Sequence, residues 1–150
     1  MTATSELPSS TALDPRALRL GYAGLIPFVV GAALMWLVLP DARLHVSKGL
    51  TAYAAVIVSF LGGIHWGLGF RQQGAQPASF AWGVAPSLVS WIALMMSPDA
   101  ALIVLGVMLV VSYLVDRKVY PLQGARGWLT LRFRLSVVAS LCCFIGAAGR

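Results

Sequence analysis

The 150-residue chain is 59% hydrophobic and 11% charged, with a mean hydropathy of +0.82, whereas a soluble domain carries about 25% charged residues. That balance excludes a water-soluble fold. The net charge of +6 and the pI near 10.0 do not signal nucleic acid, because the basic residues stand at the ends of apolar runs, as topology signals and lipid headgroup contacts, and form no soluble patch.

Residues 1–15, rich in Ser, Thr and Pro, are expected to form a short disordered tail. Residues 16–150 form the transmembrane domain. Arg16 and Arg19 precede an apolar run and so resemble an export signal. Yet the run continues from Leu20 to Leu39, beyond the usual apolar length of about 7 to 15 residues, and no small-x-small cleavage site closes it. It reads as a retained first span, with a helix predicted over 18–39 and a stop at Pro40 and Asp41. A second helix is predicted over 49–70, stopped by Arg71, Gln72, Gln73 and Gly74. The third covers 78–96, and Ser97, Pro98 and Asp99 turn it into a fourth over 100–120, making a helical hairpin. After Pro121 comes a basic, Gly-containing connection, then a fifth helix over 128–148 with Arg132 and Arg134 in its first turns. A hydrocarbon core of roughly 30 Å takes about 20 helical residues to cross. The predicted fold class is therefore all-α, a polytopic membrane protein built as a bundle of five transmembrane helices, with no internal repeat.

Counting Lys and Arg by side decides the orientation. Arg16, Arg19, Arg71, Arg117, Lys118, Arg126, Arg132 and Arg134 fall on the N-terminal side, against Arg43, Lys48 and Arg150 on the other. The N-terminus is predicted in the cytoplasm and the C-terminus outside. Trp66, Trp82 and Trp128 then fall near the inner boundary and Trp36 near the outer, as interfacial anchors do; Trp91 lies deeper.

Ser59, Gly63 and Gly67 recur every four residues and line one face of the second helix, a small-xxx-small pattern that lets another helix approach. His65 lies about 200° around from Gly63 and is flanked on its own face by Gly62 and Gly69. Both faces are notched, so this helix is expected in the middle of the bundle. The notches serve packing, or a gap that admits a flat ring or tail. Pro27 and Pro86 interrupt the first and third spans and are expected to kink them, with Ser87 and Ser90 placed to satisfy the carbonyls freed by Pro86.

His65 is the one ionisable residue well inside a span, and such residues usually face the bundle interior. Asp116, near the end of the fourth helix, and Arg132, near the start of the fifth, lie at similar depth. All three are expected to meet, either as a polar cluster that pins three helices or as a proton relay or anion site. His45 belongs to the opposite side, which argues against a bis-His haem. No nucleophile elbow, P-loop, zinc motif or paired carboxylate site is present in the sequence, and no metal or cofactor is expected. Cys142 and Cys143 are adjacent on one helix, diverge, and read as small packing residues.

Over Gly21 to Phe28 (GYAGLIPF), Ser59 to Gly67 (SFLGGIHWG) and Asp116 to Leu135 with its LRFRL segment, the chain resembles the domain of unknown function 3429 family of small, transmembrane protein 69-like membrane proteins. The resemblance implies a bacterial inner-membrane or mitochondrial-type multispan protein of uncharacterised role, and it carries over no catalytic residues. The reading that follows is a multi-pass protein of the bacterial inner membrane, its N-terminus cytoplasmic and its C-terminus periplasmic. It is expected to be a noncatalytic accessory, assembly or scaffold component with the lipid bilayer and a membrane-protein partner or homo-oligomer around it. The alternatives are a small proton-coupled transporter or channel using His65 and Asp116, and a lipid- or quinone-handling membrane enzyme with Arg132 and Arg134 at the headgroup.

Overall fold

The computed structural model describes residues 13–71, 77–122 and 124–149. The regular structure among the described residues is all helical: α1 (Pro15–Ala23), α2 (Ile26–Leu37), α3 (Pro40–Arg71), α4 (Pro77–Leu94), α5 (Pro98–Leu122), a 3-10 turn (Arg126–Trp128) and α6 (Leu129–Ala148). With α1 and α2 taken as one interrupted rod, these are five helices. Four segments are long and apolar enough to cross a membrane: Pro15–Leu37, Pro40–Arg71, Pro98–Leu122 and Arg126–Ala148. The apolar part of α4, Phe80–Leu94, is shorter. Outward-facing Phe60, Trp91, Ile103 and Leu141 are each at least half exposed, a surface that only lipid tails can solvate. The protein is an integral, multi-pass membrane protein.

The first rod breaks before Pro27, whose ring removes a helical donor. Asp14 caps α1 by accepting from Arg16 N, and the chain slackens at Gly24 and Leu25 before α2 begins. The Tyr53 hydroxyl of α3 donates to the Gly24 carbonyl at 2.8 Å, so the break is satisfied from a neighbouring helix. Tyr53 also stands edge-on to Phe28, ring centroids 5.1 Å apart.

α3 starts well before the predicted Gly49. Pro40 is its first residue and Asp41 lies in its first turn. Pro at the first position and an acid in the first turn are both helix starters, so the residues that close one helix open the next. Arg43, exposed His45 and Lys48 therefore ride on α3 and not on a loop. α4 ends at Leu94, and α5 starts at Pro98 and runs past Pro121 to Leu122. Most of the predicted tail, the turn at Gln72 to Gly74 and Arg150 lie outside the described residues.

α3 is the hub, touching α2, α4, α5 and α6. Its buried Leu50, Ala54, Val58 and Leu61 meet Phe28, Leu102, Leu105, Leu109, Ala139 and Cys143 in one apolar core. Against α4 the backbones come together: a Cβ added at Gly62 would overlap the Gly83 carbonyl oxygen and reach Pro86 Cγ at 3.3 Å. Buried Pro86 thus sits where α4 crosses the Gly62 notch. Ser87 is exposed, and Ser90 Oγ is buried with no hydrogen-bond partner, so Ser90 does not take up a freed carbonyl as the sequence suggested. The two helices are also joined by Trp66, which donates from Nε1 to the Phe80 carbonyl at 3.0 Å and meets the Phe80 ring edge-on at 5.1 Å.

Two links fix the direction of α5 relative to α3. At the start of α5, the Pro98 carbonyl accepts from Thr51 Oγ1, in the first half of α3, at 3.4 Å. Near their ends, His65 meets Asp116. The two helices run the same way, so α4 has to return from the end of one to the beginning of the other.

Candidate functional site

His65 and Asp116 each stand six residues before the end of their helices, and Arg132 is three residues into α6. At about 1.5 Å per residue the first two lie about 9 Å inside those ends. Depth alone makes them neighbours once α3 and α5 run parallel and α6 returns beside α5. Each is buried in the bundle interior, where a charge finds the partner that lipid cannot give it.

The three side chains form one closed group. His65 Nε2 donates to Asp116 Oδ1 at 2.8 Å. Arg132 donates to the other oxygen, Oδ2, from Nε at 2.9 Å and also from a terminal nitrogen. Asp116 is thereby bonded through both oxygens, and its side chain is 2% exposed. His65 and Arg132 are buried too, and the carboxylate balances the guanidinium. Charge-assisted bonds of this kind are about twice as strong as neutral ones, and leaving either charge unmatched in the interior would be costly.

Tyr120, one helical turn beyond Asp116, completes the wall. It is 4% exposed, and its ring centroid lies 6.4 Å from that of His65. Sequence reasoning missed it, because a tyrosine near a helix end reads as an interfacial anchor; its one-turn spacing from Asp116 was the available signal. Next to it a cleft of about 270 Å³ opens between α3, α5 and α6, with Arg71, Tyr120, Trp128 and Arg132 among its walls. This cleft reaches the cluster from the side of the α3 and α5 C-terminal ends. Arg134 points elsewhere: it is exposed, and Nη1 donates to the Tyr22 hydroxyl at 3.3 Å, tying α6 to α1.

The small residues of α3 divide sharply. Gly62 and Gly69, on the His65 face, pack against α4, and a Cβ at Gly69 would press on the Phe80 ring at 2.8 Å. Gly63 and Gly67 are exposed, and a Cβ at either would meet nothing within 4 Å; Ser59 on the same face is partly exposed. Among the described residues the Gly63 and Gly67 part of this strip packs against no other helix of its own chain. Pro27 is exposed in the first turn of α2 and Pro86 is buried inside α4. Cys142 and Cys143 are both free and buried. No three His, Cys, Asp or Glu side chains gather as metal ligands among the described residues.

A family model described as a protein of unknown function (DUF3429) matches residues 13–148, which takes in every segment that carries the resemblance. Transmembrane protein 69 of Xenopus tropicalis is 35% identical over 137 residues, 83% of this chain and 53% of that protein. The chain spans about half the length of this curated relative. No solved structure matches.

Proposed function

The chain belongs to the DUF3429 family, and from that premise we propose that it acts as a noncatalytic accessory, assembly or scaffold component of a membrane complex, the cluster of His65, Asp116 and Arg132 serving as an internal clamp. The observation that carries this reading is the saturation of Asp116: its two oxygens are taken up by residues of the same chain, behind 2% exposure. A substrate or ion would have to break the clamp to be bound. The outward strip of Ser59, Gly63 and Gly67 supplies what a scaffold needs, a face where a partner helix, from another protein or a second copy, comes close.

In this reading α4 is a fifth crossing. Its 18 residues rise about 27 Å, close to the hydrocarbon thickness of roughly 30 Å, and the parallel course of α3 and α5 supports a full return between them. The excess of Lys and Arg on one side supports an N-terminus in the cytoplasm, and five crossings then carry the C-terminus to the periplasm of the bacterial inner membrane proposed for it.

Affinity capture from native membranes in mild detergent tests the proposal. We expect stoichiometric co-purification that Gly63→Leu and Gly67→Leu abolish while the protein itself stays folded. The cleft at Tyr120 and Arg132 favours a second reading, proton-coupled transport, since it brings open space to the edge of the clamp. A monodisperse protein without partners that carries protons in liposomes, and loses that flux on His65→Ala, would replace the scaffold with a transporter.

A further inference from the structure

A second cleft, of about 150 Å³, opens between the break in the first rod and the helices α3, α5 and α6. Leu25, Phe28, Phe60 and Leu135 are among its apolar walls, and Gly21 and Gly24 keep the α1 side flat. At its inner wall stand two polar side chains, Arg132 and Ser136. Ser136 is 3% exposed and its Oγ has no hydrogen-bond partner. Serines in lipid-facing helices usually turn back to a carbonyl of their own helix. Ser47 and Ser140 do so, donating to Leu44 and Val137 carbonyls at 3.1 Å each. Of the three buried serines among the described residues that do not, Ser90, Ser112 and Ser136, Ser136 is the one that lines this cleft.

We infer that this cleft binds the head ring of a neutral, carbonyl-bearing lipid, a quinone with an isoprenoid tail. Size, charge and depth each select that occupant. An apolar cavity of about 150 Å³ holds a benzene-sized ring. Arg132 is already balanced by Asp116, so the wall offers donors without net positive charge, which suits a carbonyl oxygen and disfavours an anionic headgroup. Ser136 lies midway along the Arg126–Ala148 segment, while phospholipid carbonyls sit at the interface, about 15 Å from the centre of the hydrocarbon. A ring carbonyl accepting from Ser136 Oγ would satisfy the orphaned hydroxyl, and the tail would leave between α1 and α3 into lipid.

The test uses the full chain in detergent, thermally unfolded with a decyl-substituted benzoquinone, with decane, or with short-chain phosphatidylglycerol. Stabilisation by the quinone alone is expected, rising with concentration as mass action requires. Ser136→Ala is expected to weaken the apparent affinity about three- to tenfold, the range of one neutral hydrogen bond, without lowering the stability of the unliganded protein. Ser136→Leu, which fills the cleft, is expected to abolish the shift. Equal stabilisation by decane would make the cleft an acyl-chain slot, and equal stabilisation by phosphatidylglycerol a headgroup site; either overturns the proposal, as does an unshifted wild type or an unchanged Ser136→Ala affinity.

Discussion

Asp116 joins α3, α5 and α6 through a single carboxylate, so its partners are unequal. Asp116→Ala leaves Arg132 buried without a counter-charge, and by analogy with buried pairs elsewhere this destabilises by about 3–5 kcal/mol. His65→Ala leaves the Arg132 pair intact and is expected to cost about 1.5–3 kcal/mol, the range of one hydrogen bond to a charged group. The double variant should be little worse than Asp116→Ala alone, because both remove the same contact; thermal unfolding in detergent measures this, and additive losses would mean that the two side chains do not touch. Replacing Asp116 and Arg132 together by Leu and Met should be less harmful than either single change, an outcome at odds with a catalytic or transport role if partner binding survives. His65, Asp116 and Arg132 were legible in the sequence because an ionisable group inside an apolar run is rare and needs a partner at its own depth. Tyr120 and Ser136 were not: one resembles an interfacial anchor, and a lone serine in a span is ordinarily satisfied by its own helix.

Among the helices, the glycines of α3 give the sharpest contrast. Gly62→Ala pushes a methyl group into the Gly83 backbone, which cannot yield as a side-chain tip would. A loss of about 1–3 kcal/mol is expected. Gly63→Ala meets nothing and should leave stability unchanged or raise it by up to about 1 kcal/mol in detergent, as alanine does in place of a helix-interior glycine; an equal loss at both positions would contradict the assignment of faces. Sequence spacing marked both strips but not which one is packed, since that depends on Gly83, three residues before Pro86, facing Gly62 across two helices. The helix boundaries were blurred for a related reason. Pro40 and Asp41 read as a stop because they end an apolar run, yet in the structure they begin α3, and only the helical continuity through Arg43, His45 and Lys48 shows it. Pro27 illustrates the reverse: a break legible from one residue, within which the Gly24 carbonyl is met by Tyr53 from another helix, a contact no local pattern encodes.

For the molecule as a whole, apolar length decides the class. Helices with outward Phe, Trp, Ile and Leu and inward Ser, His, Asp and Arg are folded for lipid. What length leaves open is whether α4, the shortest apolar stretch, crosses with the others. Its path from the end of α3 to the start of α5 requires a full return if those two helices span in the same direction. Alkaline phosphatase fused in turn at Gly74, at Pro98 and after Arg150 tests this most directly. The account predicts an inactive, cytoplasmic fusion at Gly74 and active, exported fusions at Pro98 and Arg150. Matching activities at Gly74 and Pro98, or an inactive enzyme after Arg150, would contradict five crossings with a cytoplasmic N-terminus.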